Sequence, residues 1–266
     1  MKKYLGLFLT LGVIAAAVAA PWLAASDPMA TNFARGLQPP GSPGHLLGTD
    51  QLGRDLLARV LYGARLALFI GVCTVVATAV VGGLLGLIAG FVERWPSTAI
   101  MRLADVQLSF PFILLALTIN AIVGLGLRNI ILSLSAAGWV VYARVVRGEV
   151  LSVKQRDYVH AAAALGVGRT RLLFRHVLPN VAPSIIVVAS LQFSQFVVAE
   201  AAISFLGFGV QPPTPAWGSM LSESRDFLYV AWWLAAFPGA ALALTALGVN
   251  LLGDWLRDTL DPKLRV

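Results

Sequence analysis

Long apolar runs alternate with short polar islands along this chain, and the largest island lies past its middle. The apolar runs cover Leu5 to about Ala20, Leu66 to Phe91, roughly Leu103 to Gly124, Ile130 to Val146, about Ser184 to Leu206, and Phe227 to Leu252. Each is near the ~20 residues a helix needs to cross a bilayer. The pattern predicts an all-α, polytopic membrane protein with six transmembrane helices. Gly82, Gly83, Gly86 and Gly90 sit in the second helix, where small residues let helix backbones approach. Pro111 is expected to kink the third.

Lys2 and Lys3 precede the first run. That arrangement also suits a cleaved signal peptide, with AVAA as the cleavage site, but the run exceeds the usual ~7–15-residue signal core. Residues 1–25 are therefore read as a first, uncleaved transmembrane helix. Residues 26–65 form a connecting loop rich in Pro, Gly and Ser at its start. From Thr49, Leu52, Leu56, Val60, Leu57 and Leu61 recur at helical spacing with Asp50, Arg54, Asp55 and Arg59 between them. An amphipathic helix is expected there, capped by Thr49 or Asp50, lying on the outer membrane surface and running into the next span. Glu93 to Thr98 reads as a turn, 66–253 as the membrane core, Gly207 to Asp226 as a Pro-rich loop, and 254–266 as a polar tail.

The large island, Asp157 to Asn180, reads DYVHAAAALGVGRTRLLFRHVLPN. Ala161 to Leu165 is a run of strong helix formers, and Gly166 and Gly168 interrupt it. In the second run, Arg169 to Leu178, one side carries Leu172, Leu173, Val177 and Leu178; Arg171, Arg175 and His176 surround the other. Pro179 and Pro183 are expected to stop it. The prediction is helix, glycine turn, helix: a knob with a small-residue face. An ordinary amphipathic helix at the membrane surface is the plainer alternative.

Composition narrows the chemistry. Of 266 residues 58% are apolar and 12% charged, against about 45–50% and 25% in a soluble domain. The net charge of +7 gathers at segment ends, which points to topology rather than nucleic acid. Fourteen Lys and Arg fall on the side of the termini and six on the other, together the 20 of the sequence. Both termini and the island are thus expected in the cytoplasm. One cysteine, Cys73, excludes an internal disulfide. His45, His160 and His176 have no zinc spacing, so no metal site is expected. There is no G-x-x-x-x-G-K-[ST] loop, no H-E-x-x-H and no nucleophile set, which argues against an enzyme. Inside the spans, Glu200, Gln195 and Asn120 are candidates for lining a path or for packing. For Glu200 the structural reading is a hydrogen bond with Ser194 or Gln195. Gln192 is compatible with either role. Asp105 is expected to pair with Arg102, one helical turn away.

His160-Ala161-Ala162, then Gly166, then Leu178-Pro179 resembles the EAA loop of ATP-binding-cassette importer permeases, although His160 stands where that family carries an acidic residue. HLLGTDQLGRDLLARVLYGAR (His45 to Arg65), PPTPAWGSML (Pro212 to Leu221) and LGDWLRDTLDPKLR (Leu252 to Arg265) are similar to its dipeptide, oligopeptide and nickel branch, to the second, C-type permease. The resemblance implies a type I importer fold in a prokaryotic inner or plasma membrane, with loop 147–180 docking in a cleft of an ATPase. Tyr158, His160, Ala161, Ala162, Leu165, Gly166, Arg169, Leu178 and Pro179 would then couple to that ATPase. The implied partners are a second permease, two ATPase subunits holding ATP and Mg, an extracytoplasmic substrate-binding protein and membrane lipid. This chain itself would bind no cofactor. The implied cargo is di- or oligopeptides; nickel or another small solute is the alternative. A rival from another class is an ion-coupled secondary transporter with Glu200 as its proton site.

Overall fold

The computed structural model describes residues 2–24, 26–92 and 94–260, and every regular element among them is helical. Met1, Ala25, the expected turn residue Glu93 and tail residues 261–266 lie outside the described residues. Helix α1 is Lys2–Leu23. A folded loop with one 3-10 turn, Phe33–Arg35, leads to α2, Leu56–Phe91. The expected helix does not begin at Thr49; it begins at Leu56 and, as expected, runs on into the span. Asp55 caps α2, its carboxylate accepting the Ala58 N–H at 2.8 Å. The residues before it fold back instead: the Gly53 N–H donates to the Asp50 carbonyl, and Gly53 takes a φ of 71° that a glycine accepts without strain.

α3, Trp95–Leu108, and α4, Phe112–Val123, meet at 94°. The expected kink at Pro111 is a complete break. Pro111 takes an extended backbone (ψ 130°) and offers no N–H, so the helix restarts after it. α5 is Leu127–Lys154, and the polar island supplies α6, Asp157–Ala164, and α7, Arg169–Leu172. A π-helical turn, Leu173–Val177, joins α7 to α8, Leu178–Phe205. Pro179 and Pro183 therefore do not stop the helix: Arg169–Phe205 is one apolar stretch of 37 residues. The Leu178 N–H reaches five residues back to the Leu173 carbonyl, a wider turn that takes up the register the prolines disturb. The Pro-rich loop holds an unexpected helix, α9, Trp217–Glu223, and α10, Trp233–Leu260, completes the described chain. Among the described residues five helices are long and apolar enough to cross a membrane, or six with α3 and α4 counted as one broken span.

α2 and α5 run side by side in the same direction and form the central seam. A methyl group on Gly82 would lie 2.2 Å from the Trp139 carbonyl oxygen, on Gly86 2.6 Å from that of Ala143, and on Gly90 2.6 Å from the Val150 Cβ. Three glycines at four-residue spacing thus set how closely the two backbones approach. α1 and α10 pack antiparallel beside this seam, with Gly6 against Leu251 and Gly248 against Leu9.

Candidate functional site

The polar island builds a knob at one end of the bundle. α6 closes with two backbone bonds, Gly166 N–H to the Ala163 carbonyl and Val167 N–H to that of Ala162, around a Gly166 φ of 82°. This is the Schellman arrangement, which favours glycine at that position. Val159, Leu172, Val177 and Val181 form the underside and pack on Leu87 of α2 and on Val146, Val150 and Val153 of α5. Arg156 donates to the Asn180 side chain at 3.3 Å, and Asn180 donates to the His176 carbonyl at 2.8 Å. The knob is thereby fixed to α2, α5 and α8 together.

Its outer face carries apolar surface. Leu165 is 85% exposed, and Phe174 and Tyr158 are also exposed. Tyr158 lies beside His176, ring centroids 6.5 Å apart. His160, Ala161, Gly166, Arg169 and Pro179 are exposed, while Ala162 and Leu178 are half-buried against the underside cluster. The small-residue face is therefore Ala161, Ala163 and Ala164, with Ala162 turned inward. Such a face can seat in a groove of another protein, and a push on it reaches three long helices.

The polar residues of the apolar helices divide into two groups. Glu200 is 2% exposed and accepts from the Ser204 hydroxyl at 2.6 Å. The expected partners lie elsewhere: Ser194 faces the Ala246 carbonyl at 3.4 Å, and Gln195 points outward. Asn120 is fully buried, donating to the Phe208 carbonyl and accepting from Ser133 at 3.3 Å. It ties α4 to α5 and to the loop after α8. Gln195, by contrast, lines an open cavity with Gln192 and Asn250. Asp105 pairs with Arg144 across on α5 rather than with Arg102, both side chains half-exposed.

At the opposite end of the bundle lies a set of charges that sequence reasoning assigned to a wet surface. Arg54 and Arg59 are 3% and 1% exposed, and Asp50 is equally enclosed. Arg54 reaches Asp50 at 2.5 Å and Glu223 of α9 at 2.9 Å; Arg59 adds 3.5 and 3.6 Å approaches to the same two carboxylates. His45 and Asp55 pair beside them at 2.9 Å. Two arginines thus balance two carboxylates inside the fold, which is how buried charge is tolerated. Trp217 and Trp233 clamp the group, their indole N–H groups donating to the Val60 and Thr49 carbonyls at 3.0 and 3.2 Å. The missed partner was Glu223, which stands among Ser222, Ser224, Arg225 and Asp226 and so carries no local sign of burial. Among the described residues no cluster of His, Cys, Asp and Glu is arranged to hold a metal.

Residues 82–266 match the family described as binding-protein-dependent transport system inner membrane component. A di/tripeptide transport system permease protein of Pseudomonas aeruginosa is 46% identical over 98% of this chain and 88% of its own length. A dipeptide transport system permease protein of Escherichia coli is 44% identical over the same shares. A glutathione transport system permease protein of Pectobacterium atrosepticum is 44% identical over 84% of this chain and 74% of its own.

Proposed function

The chain belongs to the family of binding-protein-dependent transport system inner membrane components, and from that premise we propose that it is a permease subunit of an ATP-driven importer of di- or oligopeptides. It forms half of the path, with a second permease forming the other half. Two ATPase subunits hold ATP and Mg, and a binding protein delivers the solute from outside. Both termini and the knob face the cytoplasm, as the bias of Lys and Arg requires. Tyr158, His160, Ala161, Leu165, Gly166, Arg169 and Pro179 meet the ATPase, while Ala162 and Leu178 hold the knob to the span. ATP binding moves the knob, and the helices packed on it follow between inward-open and outward-open states.

The observation that carries this reading is the knob itself. It exposes Leu165 and Phe174 on one face and is locked to α2, α5 and α8 by the other. Such a piece transmits force from a partner to the span. Affinity purification from membranes, followed by uptake assays, tests it. Leu165→Asp removes apolar surface without touching the underside, and Gly166→Val forces a β-branched residue to positive φ at about 1–3 kcal/mol. Both are expected to insert and pair with the second permease, yet lose copurifying ATPase or lose uptake per ATP hydrolysed. Wild-type retention and wild-type coupling in both would remove the basis for the proposal.

A further inference from the structure

Three carboxamides, Gln192, Gln195 and Asn250, converge on an opening between α5, α8 and α10. None of them hydrogen-bonds to another described residue. The cavity measures ≈ 390 Å³, and Val141, Val188 and Leu191 supply apolar wall. Gln192 is only 6% exposed, so most of its side chain is covered by neighbouring protein and only a small part reaches the cavity, whereas Gln195 is exposed. Two other polar groups of the spans are spent on the fold: Glu200 on Ser204, and Asn120 on Phe208 and Ser133. These three are not. An amide left without a partner in a bilayer is costly, so this face does not meet lipid tails. It meets water and solute, or a second protein.

We propose that this cavity is a solute-contact site on the translocation path, holding the peptide group of a passing peptide through neutral amides. The inference rests on the peptide-import reading above. A carboxamide offers donors and an acceptor, which match the C=O and N–H of a peptide bond. None of the residues lining the cavity carries a charge, so neither terminus of a zwitterionic peptide is trapped. Binding that is satisfied but weak suits a path that must also release its cargo. The same lining gives a bare metal ion no thiolate, imidazole or carboxylate.

The test uses the whole complex with its binding protein in proteoliposomes, and radiolabelled L-alanyl-L-alanine as the probe. The Gln195→Leu/Asn250→Leu variant is expected to cut the saturated uptake rate about tenfold. The apparent KM, set by delivery from the binding protein, and the copurifying ATPase should stay unchanged. Gln195→Asn, which keeps an amide, should restore much of the rate. In a Cys73→Ala background, Gln195→Cys should react with a small water-soluble methanethiosulfonate, and the dipeptide with binding protein and ATP should slow that reaction. Full uptake by the double Leu variant would overturn the site alone. A cysteine at 195 unreactive in every nucleotide state would also overturn it, marking the face as an interface with the second permease. No dialanine uptake by the wild-type complex would instead overturn the peptide reading, and this ligand with it.

Discussion

Glu200 and Ser204 stand one helical turn apart on α8, and the 2.6 Å bond between them is the enclosed carboxylate's link to a neighbouring side chain. Removing the hydroxyl leaves a buried acid unsatisfied, so Ser204→Ala should destabilise the subunit by about 1–3 kcal/mol. Glu200→Gln keeps an acceptor and should retain most uptake and yield, while Glu200→Leu should lower the yield of assembled complex. Thermal unfolding in detergent and uptake assays check these outcomes. A Gln variant that assembles normally but transports nothing would make Glu200 a proton-coupling site. The sequence reading paired Glu200 with Ser194 or Gln195 and passed over Ser204, four residues further on. Which of them faces inward depends on how α8 is rotated against α10, and tertiary packing decides that. Gly166 was easier to read, because a glycine after an alanine-rich helix has a local cause.

At the scale of elements, apolar runs long enough to span were plain, since their length answers to bilayer thickness alone. Their ends were not. Asp50, Arg54, Asp55 and Arg59 look like the wet side of a surface helix, because charges rarely bury unless paired. Their partner Glu223 lies 169 residues beyond Arg54, out of reach of any local pattern. The break at Pro111 was underestimated for a related reason. A proline removes one donor, but whether the helix bends or stops depends on what neighbouring helices offer, here α5, to which Gln107 of α3 and Asn120 of α4 both bond. The buried charges yield a sharp expectation. Arg54→Met takes from Asp50 its 2.5 Å partner and leaves it the longer 3.5 Å approach of Arg59, at a cost of about 3 kcal/mol, whereas Glu223→Gln, on a partly exposed acid, should cost less. In a double-mutant cycle the two should couple by about 1 kcal/mol or more. Additive losses in unfolding temperature would show that α2 and α9 are joined by shape rather than by charge.

For the molecule as a whole, a glycine seam binds α2 to α5, and both helices end on the underside of the knob. The knob packs on the last turns of α2 and α5, and the Arg54–Glu223 group lies at the opposite end of α2. The bias of Lys and Arg puts the knob on the cytoplasmic side in the proposed reading. Single cysteines at Arg171 and Ser42, in a Cys73→Ala background, should be labelled by an impermeant maleimide in intact cells only at 42; labelling at 171 alone would invert the topology. The central claim, that the knob seats on an ATPase, is tested most directly by cross-linking Leu165→Cys in native membranes with a short bifunctional reagent. The account predicts an adduct of this chain with an ATPase subunit, its yield changing between nucleotide-free and ATP-bound states. A well-exposed cysteine at 165 that forms no ATPase adduct in either state would contradict it.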